Sequence, residues 1–92
     1  MKFNPGRLVM SRGVYILIAN DEKFARHVDL SIKRHLAGDW GDLCDEDRVA
    51  NELALKEGQR LFSVYKKEGL PKIWIVTEWD RSVTTALLPD EY

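Results

Sequence analysis

Apolar residues recur at every fourth position from Phe24 through Val28 and Ile32 to Leu36, which stacks them on one side of a helical cylinder. This stripe predicts a helix over about 21–36. Asn20-Asp21-Glu22 supplies its cap and acidic first turn, and Gly38 ends it as a C′ residue. A second helix is expected to start within 42–47, where carboxylates suit the positive end of the helix dipole and Asp42 or Asp45 can cap free N–H groups. Its expected buried face is Val49, Ala50, Leu53 and Ala54, with Arg48–Glu52 and Glu52–Lys56 as surface ion pairs and Gly58 as the stop. Residues 13–19 (GVYILIA) read as a strand by their β-branched and aromatic content, or as a helix capped by Ser11. Leu8 to Met10 form a short candidate strand, and Asn4-Pro5-Gly6 is a turn that sets off 1–7 as a flexible tail.

Beyond residue 60 the period changes. The runs LFSVYK (61–66), KIWIVTE (72–78) and VTTALL (83–88) are strand-like and are separated by turn residues too few for a crossover. Ile73, Trp74, Ile75 and Val76 are apolar on both faces, as a middle strand requires. The expected fold is α+β, in one domain over 1–92: two to three N-terminal helices packed on a three- to four-stranded antiparallel C-terminal β-meander. If Asp80-Arg81-Ser82 forms a three-residue hairpin loop, Glu78 faces Thr84 and Thr77 faces Thr85.

A net charge of −1 gives no overall basic footprint, so any nucleic-acid contact must use a local patch. Cys44 is the single cysteine, which excludes an internal disulfide and fits a reducing cytoplasm. Its acidic neighbours Asp42, Asp45 and Asp47 disfavour a thiolate nucleophile. No run is long enough to span a bilayer, so no membrane is expected as a partner. The acids at 39, 42, 45 and 47 miss the spacing of a calcium loop, and His27, His35 and Cys44 miss that of a zinc site. No metal and no cofactor is expected.

Two dense polar motifs remain. HLAGDWGD (35–42) is expected to form a corner, with Trp40 as a core anchor between Gly38 and Gly41, and Asp42 opening the next helix. His35 is either a helix-end residue bonded to Asp39 or to a terminal carbonyl, or a general acid–base group oriented by Asp39. TEWDRSVTT (77–85) is either a solvated turn with cross-strand threonines or an anion site on the Arg81 guanidinium.

H-x-x-G-D-W-G-D, then Asp47 and Asn51, G-x-R-x-x-S-x-Y (58–65) and I-W-I-x-T-E-x-D-R-S-x-T-T-x-L-L-P-x-E-Y (73–92) follow one another in order. Over roughly 34–92 the chain thus resembles a family of small uncharacterised bacterial proteins of plasmids and other mobile elements. Some of them are labelled "type I restriction endonuclease subunit M". The resemblance implies a helix at 12–20 and brings no activity. A methyltransferase is not expected, since 92 residues with no Gly-rich strand–turn–helix signature do not hold an adenosylmethionine fold.

Helices before an antiparallel sheet carrying His, Arg, Thr and Tyr are also similar in outline to barnase-like and messenger-interferase-like ribonucleases. By that analogy His35 and Glu78 would be acid and base and Arg81 the phosphorane clamp. Asp39, Tyr65, Thr84 and Thr85 would orient or bind, and RNA would be the partner. The alternative expectation is a non-catalytic interaction module that meets a protein through the Asp80–Arg81 turn or through 87–92.

Overall fold

The computed structural model describes residues 1–92. The chain runs through β1 (Arg7–Met10), α1 (Arg12–Asn20), α2 (Glu22–Leu36), α3 (Asp45–Glu57), β2 (Leu61–Tyr65), β3 (Ile73–Thr77) and β4 (Val83–Leu87), and ends in a 3-10 turn over Pro89–Glu91. The architecture is α+β, with three helices packed on a four-stranded sheet. Helix wins over strand at α1 because Ser11 caps it, its hydroxyl accepting from the Val14 N–H. Glu91 adds to this cap from the far end of the chain, accepting from the Ser11 hydroxyl and the Gly13 N–H. Asp21 caps α2 in the same way through Lys23 and Phe24.

The strand order is β1-β4-β3-β2. The three C-terminal strands form the expected antiparallel meander, but β1 joins β4 in parallel, so the sheet is mixed. A parallel neighbour needs a long crossover, and all three helices lie in that connection. The segment 1–7 is docked where a flexible tail was expected. The Lys2 N–H donates to the Leu36 carbonyl (2.8 Å), Pro5 is buried, and the Phe3 ring lies against His35 and Trp40.

The register places Leu61, Ser63, Tyr65, Ile73, Ile75, Thr77, Thr84 and Ala86 on one sheet face. Val14 from α1 and Phe24 and Val28 from α2 meet Tyr65, Ile73, Ile75 and Ala86 there. A second cluster joins Trp40, Leu43 and Ala54 to Leu61 and Val64.

Both main helices are rotated from the faces their apolar periodicity predicts. The buried residues of α2 are Phe24, His27, Val28, Ser31 and His35, while Ile32 and Leu36 are only half-buried. In α3, Val49 and Leu53 are exposed, and Asn51 and Ala54 face inward. Asn51 explains this rotation: its amide donates to the Phe62 carbonyl and accepts the Phe62 N–H, so it completes the outer edge of β2 as another strand would. The expected ion pairs of α3 do not form, because Arg48 bonds the Gly41 and Leu43 carbonyls and Glu52 accepts from Trp40. Cys44, not Asp42 or Asp45, occupies the cap position, and it makes no side-chain cap bond.

Candidate functional site

His35 leaves the last turn of α2 pointing into the sheet and is completely buried. One ring nitrogen, Nδ1, is bonded to the Ser63 hydroxyl, and the other, Nε2, lies 2.9 Å from the Thr77 hydroxyl. Thr77 continues to Thr84 (2.7 Å), and Thr84 donates to the Pro5 carbonyl (2.7 Å). This is a buried hydroxyl–imidazole chain in which each side chain has a partner. Burial first, and the positive charge of Arg81 second, push the His35 imidazole down to about 4, so it is neutral near pH 7. Phe3 and Trp40 close over it edge-on, with ring centroids 5.5 and 5.6 Å from the imidazole.

The threonine register that makes this possible is one residue away from the expected one. Thr77 faces Thr84, and the Glu78 N–H donates to the Val83 carbonyl. The hairpin loop is therefore Trp79-Asp80-Arg81-Ser82. Arg81 adopts a left-handed φ of 60°, and Asp80 accepts from the Ser82 N–H and hydroxyl. Thr85, half-buried, points to the opposite sheet face from Thr84.

Asp39 does not touch His35. Its carboxylate receives two bonds from Arg34, at 2.7 and 3.2 Å, and one from the Gly41 N–H. The Arg34 guanidinium holds the Asp39 carboxyl below the usual carboxylate range. The Asp39 carbonyl accepts from the Tyr65 hydroxyl at 2.7 Å, and burial pushes that phenol's pKa up. Trp40 is buried, with its indole N–H on Glu52 (2.6 Å). Gly41 has a φ of +73° and bridges Val64 in parallel, so a Cβ there would overlap the Val64 carbonyl oxygen. Asp42 accepts the Lys66 N–H at 2.8 Å. HLAGDWGD is thus a corner that ends α2, seals the outer edge of β2 and roofs His35.

Arg81 is also committed to the fold. Its guanidinium donates to the carbonyls of Gln59 (2.6 Å), Glu78 (3.1 Å), Ala54 (3.3 Å) and Trp79 (3.4 Å), which sets it on the C-terminal end of α3. Its carbon centre lies 5.8 Å from the Phe3 ring centroid. His35 and Arg81 therefore both lie against Phe3, and neither lines a cavity. Glu78 sits half-buried in the turn beside Arg81, which takes its carbonyl and not its carboxylate.

Sequence reasoning gave no role to Ser63, Asn51, Arg34 and Phe3, which partner the motif residues. It weighed His27 only as a zinc ligand; the residue is 6 % exposed and its Nε2 is buried without a hydrogen-bond partner. His27 stands eight residues before His35 in a helix, and that spacing is the signal that could have found it on the inward face. It lines a cavity of about 530 Å³ between α2 and the β2–β3 turn, together with Lys23, Arg26, Lys67 and Leu70. No three His, Cys, Asp or Glu side chains converge on a point able to hold a metal ion, and no helix is long and apolar enough to cross a membrane. No family model matches the chain, and neither the curated proteins nor the solved structures contain a significantly similar one.

Proposed function

We propose that this protein is a non-catalytic binding module, an accessory domain of the kind its mobile-element resemblance suggests, in which both dense polar motifs serve the fold. The observation that carries this reading is the full internal use of its two best catalytic candidates. Both ring nitrogens of His35 are bonded inside the core, and the Arg81 guanidinium is spread over four backbone carbonyls. Phosphodiester cleavage requires an acid–base group within about 3 Å of a substrate oxygen and a cation free to meet the developing charge. Reaching His35 here would mean displacing Phe3 and Trp40, and freeing Arg81 would strip the end of α3.

The test is incubation of purified protein with single-stranded and structured RNA in the presence of chelator, between pH 5 and 8. The expected result is no cleavage above a buffer control. Chelator-resistant cleavage that is lost in both His35→Gln and Arg81→Ala, with each variant still folded by circular dichroism, would overturn the reading in favour of a metal-independent ribonuclease.

A further inference from the structure

The cavity between α2 and the β2–β3 turn gathers three cationic side chains that no other contact of the fold engages. Lys23 and Arg26 project from α2 and Lys67 from the turn; all three are exposed, and none forms an ion pair. His27 forms part of the wall, nine-tenths buried, with an Nε2 that meets no donor or acceptor. Leu30 and Leu70 supply an apolar side, and Glu68 is the one acid among the lining residues. A buried polar nitrogen without a partner is a desolvation cost the fold leaves uncompensated.

We propose that this cleft binds the phosphate group of a small phosphomonoester, with Lys23, Arg26 and Lys67 supplying charge and hydrogen bonds and the buried His27 ring backing them. A phosphate dianion offers three acceptor oxygens, which suits convergent cations better than a single carboxylate does. About 530 Å³ is within the range of small-molecule sites, so the organic part of the ligand has room against Leu30 and Leu70. Burial holds the His27 imidazole below its ordinary value. The Tyr65 backbone opposes this, Lys67 and Arg34 lower it further, and Asp42 raises it. Lys23, Arg26 and Glu68 complete the charged groups around the cleft. An anion seated among these groups stabilises the imidazolium and opposes the effect of burial.

The site shares no residue with the His35–Arg81 arrangement. RNA cleavage would leave it standing, and absence of phosphate binding would leave the non-catalytic reading standing. The experiment is nuclear magnetic resonance titration of the full chain with inorganic phosphate at constant ionic strength, following the His27 imidazole and the 67–70 amides. A saturable response is expected, with the His27 titration midpoint moving upward. The response should weaken by about tenfold or more in Arg26→Ala/Lys67→Ala, whose exposed positions leave the fold intact. Lys56→Ala, on α3 and away from the cleft, should bind as the parent does. A nucleoside 5′-monophosphate and glycerol phosphate are the ligand arms. Tighter binding of the nucleotide assigns the organic part to the apolar wall, and equal binding assigns recognition to phosphate alone. The proposal fails if chloride at the same ionic strength reproduces the changes, or if the double variant responds like the parent.

Discussion

Two histidines on the same face of α2, about 12 Å apart along the axis, meet different fates. His35 and His27 are both buried, and burial lowers the pKa of both. Around His35 the fold brings a hydroxyl to each nitrogen, extends the chain to Thr84 and Pro5, and closes it with Phe3 and Trp40. Around His27 it brings three cations and leaves Nε2 unanswered. Burial and a lowered pKa are therefore common to a histidine whose ring nitrogens the fold satisfies and to one whose Nε2 it leaves without a partner. The separation lies in whether the fold itself completes the hydrogen bonds.

The sealed region is broken most severely through its roof. Trp40 is 4 % exposed, stacks with Phe3 and bonds Glu52. Trp40→Ala should cost about 3–5 kcal/mol, the range for losing a large buried aromatic. The measurement is the urea midpoint at neutral pH. An unchanged midpoint would show that the corner does not anchor the core. The His27 cleft should keep its phosphate response wherever this variant remains folded, because no residue of the corner lines it.

The next effect comes from protonating the sealed histidine. Its folded pKa of about 4 lies below its ordinary value of 6.5, so between those values the unfolded chain binds the extra proton. The stabilisation is complete above pH 6.5 and is lost as pH falls toward 4, by about 3 kcal/mol in all. Urea midpoints at pH 7.5 and 4.5 should show this decline, and His35→Gln should flatten it. A flat profile in the parent would mean that the relay accepts a proton without penalty, and His35 would then lose its purely structural status. Phosphate should shift the profile only through His27, and the Arg26→Ala/Lys67→Ala variant should remove that shift.

This contrast was only partly legible in the sequence. Most elements were, because capping at Asp21, the positive φ of Gly38 (82°) and Gly58 (70°), and strand-type runs after residue 60 are local properties, while 12–20 stayed open between strand and helix. The burial of Trp40 was legible for the same reason, since a large apolar ring between two glycines has few other places to go. Helix rotation was not. Hydropathy favours Val49 and Leu53 over Asn51, yet an asparagine able to satisfy both the N–H and the carbonyl of Phe62 outweighs two half-exposable aliphatic side chains. The hairpin register was missed because it depends on a non-glycine residue at positive φ, which turn preferences disfavour. That one-residue slip decides which β4 threonine meets Thr77 and so extends the chain from His35. The His27 cleft was invisible because its parts come from α2 and from a turn forty residues later, and none of them forms a motif.

Arg81 allows the smallest and most specific test of the claim that the polar motifs are spent on the fold. A non-glycine residue at a φ of 60° carries a backbone cost of about 1–2 kcal/mol. Its four carbonyl bonds are what offset that cost, since the side chain otherwise rests only against the Phe3 ring. Arg81→Ala removes the bonds and keeps the strain, whereas Arg81→Gly removes both. The alanine variant should therefore be the less stable of the two by about 1 kcal/mol, with the parent above both. Arg81→Lys should fall below the parent as well, because a single ammonium cannot reproduce a planar fork spread over the end of α3. Thermal midpoints of the four proteins measure the order directly. If all three substitutions left stability unchanged, the guanidinium would not be needed where it sits. It would then be available to an anion, and the distinction between a sealed motif and an open cleft would lose one of its two supports.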